Sequence, residues 1–453
     1  MDISGPEEVE PFLSPVFEDA DPDRAVLAVI GLGYVGLPLA AAFAARGRRV
    51  IGYDLNAERV LRIRAGFDDT GEVASADLQQ ALAGGLVPTA DPEHLREARI
   101  MMVCVPTPIT PDRRPDLGHL LSACAILGPR LAPGTVVIFE STVYPGVTED
   151  VCGPALADAS GLIVGQDILL GYSPERINPG DRDHRVDTIV KVVAGQGDAV
   201  VDALRRLYGG LNGGRIHCAP SIRVAEAAKV IENAQRDINI AFVNEIALIC
   251  ERIGLSVHDV LAAARTKWNF LDFRPGLVGG HCIGVDPYYL SHLSQMIGHE
   301  PEVILAGRRT NDHMADEIAD RIAFRFREVC QEVLRPLALI LGATFKEDVP
   351  DVRNSRTPQL ARRLVRHGFR VAIHDPWLSG EKIRSLGEVE AINWPKSKDE
   401  RVNLVVIAVE HQDFRERPLE DFVDLLIPGG LIADPKGMCR GLSVFPSLNY
   451  WSL

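Results

Sequence analysis

A glycine-rich turn near the N-terminus constrains the fold more than any other part of the 453-residue chain. An apolar run, Ala25–Ile30, leads into this turn, and an alanine-rich helical pattern and a second apolar run, Val50–Tyr53, follow it. The residues of the turn are Gly31, Leu32, Gly33, Tyr34, Val35 and Gly36. Glycines at this spacing let the backbone approach a pyrophosphate, which then lies at the positive end of the helix. The sequence therefore predicts a dinucleotide-binding βαβ unit.

An acidic residue ends the second apolar run and indicates which dinucleotide is bound. Asp54 lies 18 residues after Gly36, where a carboxylate can accept a hydrogen bond from the ribose 2′-OH and repel a 2′-phosphate. We therefore expect NAD rather than NADP. Arg59, five residues further on, is expected either over the adenosine or as an exposed charge on a helix.

Polar residues follow three further apolar runs, 99–105, 135–140 and 168–172, that are predicted to be parallel strands. These polar residues are Thr107, Ser141, Thr142 and Glu175. Ligands of an open parallel sheet bind beyond the carboxyl ends of its strands, so we expect the four residues to face cofactor and substrate. Each of them taken alone is also typical of an ordinary turn or cap.

The longest helical pattern covers Ser221–Gly254 and contains no proline and no internal glycine. A helix of this length is expected to connect two lobes or to form a dimer surface. Lys229 and Asn233 are four residues apart and therefore share one face of it. A solvated face would also explain this pair.

A cysteine on a glycine-rich turn is the strongest candidate for a reacting group. Gly279, Gly280 and His281 precede Cys282, and Asp286 follows four residues later. Paired glycines allow a tight bend and leave room for a ligand, and a partly exposed thiolate is a nucleophile. The alternative is that Cys282 is a small buried hydrophobic residue, as most free cysteines are.

A second βαβ-like unit, without the glycine motif, begins at the apolar run Leu337–Leu341. Its basic residues at strand ends or in the following loops are Lys346, Arg353, Arg356 and Lys436. In a chain of formal net charge −14, this cluster indicates either two anionic ligands, one per lobe, or ordinary surface salt bridges.

The composition argues against several classes of function. The acidic net charge of −14 argues against a nucleic acid or an anionic membrane as partner, and no apolar run approaches the length of a membrane span. The eight cysteines are scattered, without the spacing of a zinc site. We therefore expect a cytoplasmic protein without an export signal or a structural metal.

Seven segments in the same order resemble the UDP-glucose/GDP-mannose dehydrogenase family. They are GLGYVGLP (31–38), VPTP (105–108), ESTV (140–143), SPER (173–176), KVIEN (229–233), the cysteine loop (279–287) and FKEDVPDVRNSR (345–356). The sequence GGHCIGVDPYYL is similar to the branch that oxidises UDP-N-acetylhexosamines, and the bacterial UDP-N-acetylglucosamine and UDP-N-acetylgalactosamine enzymes of surface-polysaccharide (capsule) synthesis look nearest. UDP-glucose enzymes tend to have serine and lysine where this chain has His281 and Val285.

The resemblance implies an α/β fold with two Rossmann-like parallel-sheet domains joined by a long central helix, and a homodimer. The expected division is an acidic extension (1–24), a NAD-binding domain (25–220), a central helical and dimerisation region with the cysteine loop (221–335), and a UDP-sugar-binding domain (336–453). The active site is expected between the two domains.

The resemblance also implies a four-electron oxidation of the sugar C6 alcohol to a carboxylate, through a thiohemiacetal and a thioester on Cys282. Lys229 and Asn233 would stabilise the oxyanion, Asp286 would orient a water or transfer a proton, and Glu175 with Thr142 would position the hydrolytic water. The expected cofactor contacts are the glycine turn, Asp54, Arg59, Thr107, Ser141, Thr142 and Arg353. The expected substrate contacts are Glu175, Arg176, Lys229, Asn233, Phe273, Arg274, Gly279, Phe345 and Lys346.

One position departs from the pattern, because Pro179 stands where UDP-glucose enzymes commonly have a second glutamate. Glu175 is therefore expected to carry more of the hydrolytic task. The alternative substrates are UDP-N-acetylgalactosamine, UDP-N-acetylmannosamine and UDP-glucose. A nucleotide-sugar-binding protein that has lost the reaction is a more remote alternative, against which the intact Cys282, Lys229, Asn233 and Asp286 argue.

Overall fold

The computed structural model describes residues 21–176, 187–280, 282–330, 333–394, 400–445 and 447–453. The chain divides into two compact units. The first unit comprises Met1–Ile231 with Tyr288–Leu293, and the second comprises Glu232–Pro287 with Ser294–Leu453. Pro179 and His281 lie outside the described residues, as does most of the acidic extension.

The first unit is built on an eight-stranded sheet in the order β3-β2-β1-β4-β5-β6-β7-β8. Its strands are β1 (Leu27–Ile30), β2 (Val50–Tyr53), β3 (Leu86–Thr89), β4 (Ile100–Val103), β5 (Thr135–Phe139), β6 (Ile168–Tyr172), β7 (Lys191–Gly195) and β8 (Ile216–Cys218). Neighbouring strands are parallel except at β6 and β7, which are antiparallel.

The second unit contains a six-stranded parallel sheet in the order β11-β10-β9-β12-β13-β14. Its strands are β9 (Leu337–Leu341), β10 (Arg370–His374), β11 (Glu390–Ala391), β12 (Val402–Ile407), β13 (Leu426–Ala433) and β14 (Asn449–Trp451). The α/β class and the parallel sheets predicted from the sequence are thereby confirmed, with β6 and β7 as the exception.

The long central helix predicted over Ser221–Gly254 is present as α7, which supplies residues to both units. The helices are α1 (Gly36–Ala44), α2 (Ala57–Arg64), α3 (Ser75–Gly84), α4 (Gly118–Leu127), α5 (Gly153–Ser160), α6 (Asp198–Asn212), α7 (Ile222–Arg252), α8 (Val257–Ala264), α9 (Asp286–Met296), α10 (Glu302–Val329), α11 (Thr357–Arg366), α12 (Gly380–Arg384), α13 (Gln412–Arg415) and α14 (Leu419–Asp424). Within the described part of the chain, no helix combines the length and apolar character needed to cross a membrane.

Both sheets are covered on both faces, as doubly wound folds require. Alternate residues of β1 enter different cores: Leu27 and Val29 join one hydrophobic cluster, and Ala28 and Ile30 join another. The strand β9 in the second unit divides its residues between two clusters in the same way. Because side chains alternate along a strand, a continuous apolar run is the expected sequence of a strand buried on both sides.

The two units build the same turn after their first strand. Gly31 and Gly342 both have left-handed φ angles, +90° and +89°. The backbone N–H after each glycine donates to a carboxylate at the end of the neighbouring strand, Asp54 in one unit (2.8 Å) and Asp375 in the other (2.6 Å). Asp375 is buried and also contacts the buried His411 ring (3.1 Å), whereas Asp54 is partly exposed. Of these two carboxylates, Asp375 is therefore shielded from solvent and Asp54 is partly accessible.

Candidate active site

The glycines of the first turn have three different environments. A Cβ at Gly31 would lie 2.9 Å from the carbonyl oxygen of Cys104, and one at Gly36 would lie 1.8 Å from the carbonyl oxygen of Gly31. At Gly33, no atom of the described residues other than its two chain neighbours lies within 4 Å of that position. Two glycines therefore close the turn on the protein, and the third leaves its outer side accessible. This arrangement fits a bound pyrophosphate, as the motif requires.

Asp54 and Arg59 hold the turn in place. Asp54 accepts the N–H of Leu32 with one carboxylate oxygen and the N–H of Asn56 with the other, both at 2.8 Å. The Arg59 guanidinium donates to the carbonyl oxygen of Leu32 (2.5 Å) and to the buried Asp68 (3.1 Å). Arg59 is therefore not an exposed helix charge, and it lies beside the Asp54 turn. Its contact with the adenosine stays a prediction.

The predicted polar residues lie at the strand ends as expected. Ser141 follows β5, and its hydroxyl donates to the carbonyl oxygen of Val105 (2.7 Å), which joins the ends of β4 and β5. Thr107 and Thr142 are half-buried, in the loops after β4 and β5. Their contacts with cofactor stay predictions.

The polar residues expected on α7 are buried. Lys229 is 8% exposed and Asn233 is 6% exposed, so the interpretation of this pair as a solvated face is wrong. The side-chain amide of Asn233 donates to the Asp286 carboxylate (2.6 Å), which is itself 2% exposed. Burying a polar side chain costs free energy unless it is hydrogen-bonded, so the Asn233–Asp286 hydrogen bond holds both side chains in a defined geometry.

Cys282 lies on a tight turn and is partly exposed. Its carbonyl oxygen accepts the N–H groups of Val285 (3.0 Å) and Asp286 (2.8 Å), the residue at which α9 begins. Five other cysteines, 104, 124, 152, 250 and 439, are buried members of the hydrophobic clusters. The interpretation of Cys282 as a buried hydrophobic residue is therefore wrong.

The segment 345–356 of the second unit packs directly on the glycines before Cys282. A Cβ at Gly279 would lie 2.8 Å from the carbonyl oxygen of Asn354, and one at Gly280 would lie 2.7 Å from the Phe345 ring. The Asn354 side chain donates to the carbonyl oxygen of Gly280 (3.2 Å), and Arg356 donates to that of Val278 (2.8 Å). The paired glycines therefore allow the loop backbone to approach Phe345 and Asn354 closely, in addition to allowing the bend.

Three of the four basic residues predicted near an anionic ligand pair with carboxylates. Arg353 pairs with Asp351 (2.8 Å), Arg356 with Asp312 (2.5 Å) and Lys436 with Glu347 (2.6 Å). The salt-bridge alternative therefore accounts for these three. The expected roles of Arg353 at the cofactor and of Lys346 at the substrate stay predictions.

The remaining predicted substrate residues differ in exposure. Phe273 packs against the core of the second unit, and Arg274 is exposed. Arg176 is exposed, and its guanidinium donates to the carbonyl oxygen of Val190 (3.1 Å). Glu175, at 9% exposure, is buried.

The sequence reasoning missed a buried ionic cluster in the first unit, formed by Glu140, Lys191 and Tyr208 around Glu175. A signal was present, since Lys191 interrupts an apolar run and Glu140 ends one. A charged residue inside an apolar run is rarely buried without a partner. Among the described residues, no group of His, Cys, Asp and Glu side chains could hold a metal ion.

Three domain models of one family match the chain in succession. The NAD-binding domain of the UDP-glucose/GDP-mannose dehydrogenase family matches residues 25–212, its central domain matches 223–313, and its UDP-binding domain matches 339–441. Proteins named UDP-N-acetyl-D-glucosamine 6-dehydrogenase from Salmonella typhi and Pseudomonas aeruginosa are each 45% identical to this chain. The alignments cover 88% and 87% of this chain and 93% and 92% of those proteins.

A solved structure shows the same fold over nearly the whole chain. The structure of a UDP-D-ManNAc dehydrogenase from Pyrococcus horikoshii has a TM-score of 0.83 and 28% sequence identity. The structural alignment covers 94% of this chain and 98% of the Pyrococcus horikoshii chain. These findings and the glycine turn define a NAD-dependent oxidoreductase that acts on UDP-sugars. The chain belongs to the UDP-glucose/GDP-mannose dehydrogenase family.

Replacing Gly33 with alanine tests the open side of the turn. We expect NADH to bind about 10–100-fold more weakly, because the added methyl group takes the space of the approaching pyrophosphate. This factor corresponds to the loss of one or two hydrogen bonds to a charged group. The melting temperature should stay unchanged, since in the described part of the chain only the two neighbours of Gly33 come within 4 Å of that methyl position. NADH titration and thermal melts measure both quantities.

Gly36→Ala is the matched control, because its methyl group would meet the Gly31 carbonyl oxygen at 1.8 Å. We expect this variant to lose melting temperature as well as affinity. Wild-type NADH affinity in Gly33→Ala would contradict the assignment of this turn to the cofactor.

Proposed function

We propose that this enzyme oxidises the C6 alcohol of UDP-N-acetylglucosamine to the uronic acid, with Cys282 as the covalent nucleophile. The observation that supports the proposal most directly is that Cys282 is partly exposed on a glycine turn and belongs to none of the hydrophobic clusters of the described residues. A thiol sealed in a core cannot reach an aldehyde, whereas a partly exposed one can.

The covalent step explains why a cysteine is needed. Bound NAD+ supplies the acceptor for the hydride that leaves C6 in each of the two oxidations. In between, the Cys282 thiolate adds to the aldehyde carbon, and the resulting C–S bond keeps the intermediate on the enzyme. Oxidation of this thiohemiacetal gives a thioester, which is an activated acyl group that water can hydrolyse.

The Asn233–Asp286 pair is suited to stabilise the charge that develops on the substrate oxygen. The Asn233 amide donates one N–H to Asp286, and an amide nitrogen carries a second N–H that can donate elsewhere. Where measured, one such donor lowers a barrier by about 2.7–4 kcal/mol. We assign Lys229 to the same oxyanion, and Asp286 to orienting water or transferring a proton.

The hydrolytic water is assigned to Glu175 and Thr142. Glu175 lies after the end of β6 and Thr142 after the end of β5, and these two strands are neighbours in the sheet. A carboxylate within reach of a water can accept its proton as the water attacks the thioester. Because Pro179 replaces the second glutamate seen in UDP-glucose enzymes, this role falls on Glu175.

The choice of sugar rests on the relatives. Proteins named UDP-N-acetyl-D-glucosamine 6-dehydrogenase are 45% identical to this chain, and the UDP-D-ManNAc dehydrogenase of known structure is 28% identical. UDP-N-acetylgalactosamine, UDP-N-acetylmannosamine and UDP-glucose are the alternatives. We propose that the enzyme acts in the cytoplasm and that its product is used in surface-polysaccharide synthesis. The proposal includes the division of the chain into a NAD-binding domain (25–220), a central region (221–335) and a UDP-sugar-binding domain (336–453).

A panel of four UDP-sugars tests the sugar. We expect UDP-N-acetylglucosamine to have the highest kcat/KM, by about 10-fold or more over UDP-glucose, because loss of the acetamido contact leaves its polar partners unpaired. The readout is NADH absorbance with purified sugars. A higher kcat/KM for any of the other three would replace the proposed substrate without changing the reaction.

Replacing Cys282 with alanine tests the chemistry. Wild-type enzyme should release two NADH per sugar, and Cys282→Ala should form no uronic acid, because the second oxidation needs the sulfur-bound aldehyde. Product analysis by mass spectrometry and NADH counting measure both. Cys218→Ala is the matched control, since Cys218 is exposed at β8 and should leave activity unchanged.

Wild-type acid formation by Cys282→Ala would overturn the covalent mechanism. Absence of NADH formation by the wild-type enzyme with all four sugars would show that none of the four is its substrate.

A homodimer through α7 is also part of the proposal. The exposed face of α7 carries Ile231, Phe242 and Ile249, at 51%, 57% and 47% exposure, and apolar side chains clustered on a surface mark protein contacts. We expect a mass of twice 49.4 kDa in light scattering. Phe242→Asp should shift this mass toward the monomer, and a monomeric wild-type protein would contradict the proposal.

A further inference from the structure

A buried lysine lies between two carboxylates at the end of the first sheet. The Lys191 ammonium is 2.6 Å from the Oε2 atom of Glu140 and 3.2 Å from the Oε2 atom of Glu175. Lys191 is 1% exposed, Glu140 2% and Glu175 9%. The Tyr208 hydroxyl donates to the other oxygen of Glu140, and the backbone N–H of Arg176 donates to Oε1 of Glu175 (2.6 Å).

The antiparallel pairing of β7 explains why this lysine is there. Parallel strands present their last residues at the active-site edge, but β7 runs in the opposite direction to β6 and pairs Tyr172 with Ala194. Lys191 is the first residue of β7 and therefore reaches the edge at which β6 ends. The Ser173 hydroxyl donates to the carbonyl oxygen of Val192 (2.9 Å), which holds the two strands together beyond that end.

One ammonium group serves two carboxylates. Burial raises the pKa of Glu140, against the lowering effect of Lys191. Burial lowers the pKa of Lys191, but attraction to Glu140 and Glu175 outweighs this and the net shift is upward. The Cys104 thiol and the Tyr208 hydroxyl face the same cluster, and burial raises the pKa of each, so both stay neutral. Glu140 and Glu175 therefore both bond the Lys191 ammonium.

We propose that Lys191 is a positioning residue that keeps the Glu175 carboxylate ionised and oriented for thioester hydrolysis, and that Glu140 sets the strength of this effect by competing for the same ammonium. The inference rests on the proposed role of Glu175 in hydrolysis. An opposite charge within about 4–6 Å lowers the pKa of a carboxyl group by about 1–3 and so favours its ionised form. A nearby like charge raises that pKa.

The step that depends on this pair is the last one. Glu175 accepts a proton from water as the water oxygen attacks the thioester carbon, so that a C–O bond forms and the C–S bond breaks. The sulfur leaves as the Cys282 thiolate, and the product is the sugar carboxylic acid, which ionises. A protonated Glu175 cannot accept that proton, so the rate of hydrolysis falls at low pH.

Two variants with opposite expected effects test the inference. In Lys191→Met, the acid limb of the plot of hydrolysis rate against pH should move to higher pH by about one unit or more. The plateau rate should fall about 10–100-fold, since a hydrogen bond to a charged group is lost. In Glu140→Gln, the acid limb should move to lower pH, because Glu175 no longer shares the ammonium. The measurement is rapid quench across pH, followed by mass spectrometry of the thioester on the Cys282 peptide.

Controls separate positioning from a structural role. Lys191→Arg should recover most of the wild-type pH profile, because it retains the charge, and thermal melts report the folding of each variant. If Lys191→Met does not fold, the shift in Glu140→Gln and the rescue by Lys191→Arg still decide the question. A merely structural role predicts lower melting temperatures with an unmoved acid limb.

The failure of this inference is distinguishable from failure of the proposed function. Absence of any Cys282 adduct in the wild-type enzyme would overturn the proposed function and the inference together. A normal adduct in the wild-type enzyme, with the same acid limb in Lys191→Met, Glu140→Gln and wild type, would overturn the positioning role alone.

Discussion

The hydrogen bond between the Asp54 carboxylate and the backbone N–H of Leu32 is the contact on which the cofactor-binding end of the structure depends. It fixes the turn in which Gly31 takes a left-handed φ angle, and that turn leads into the first helix, at whose N-terminus we expect the pyrophosphate of NAD. The second unit repeats the bond with Asp375. There the carboxylate is buried against His411, so the same backbone device stabilises a fold without presenting a carboxylate to a dinucleotide.

The cysteine loop depends on contacts that extend well beyond its own residues. The glycines before Cys282 lie under Phe345 and Asn354, and Arg356 holds the carbonyl oxygen of Val278. On the other side of the cysteine, Asp286 begins a helix and accepts a hydrogen bond from Asn233. Such support would matter for the proposed role of Cys282 as a nucleophile, because positioning errors of about 1 Å can cost about 100-fold in rate.

Much of the fold followed from apolar runs and glycines. The boundaries of Val50–Tyr53, Ile168–Tyr172 and Leu337–Leu341 agree with the strands of the structure, because strands buried on both faces read as continuous apolar segments. Short or polar strands such as β8 and β11 were missed, since two or three residues carry no periodic signal. The direction of β7 was also beyond the sequence, because an apolar run predicts burial and not the direction of its neighbour.

For the site, the sequence by itself determined the cofactor turn, the family and the identity of the candidate nucleophile, because these depend on residue type at fixed local spacing. Tertiary structure alone decided which polar residues are buried together. Glu140 and Lys191 are 51 positions apart, and Asn233 and Asp286 are 53 apart. Such pairs form only when strand order and direction bring distant residues within hydrogen-bond distance, and burial then makes each partner necessary to the other.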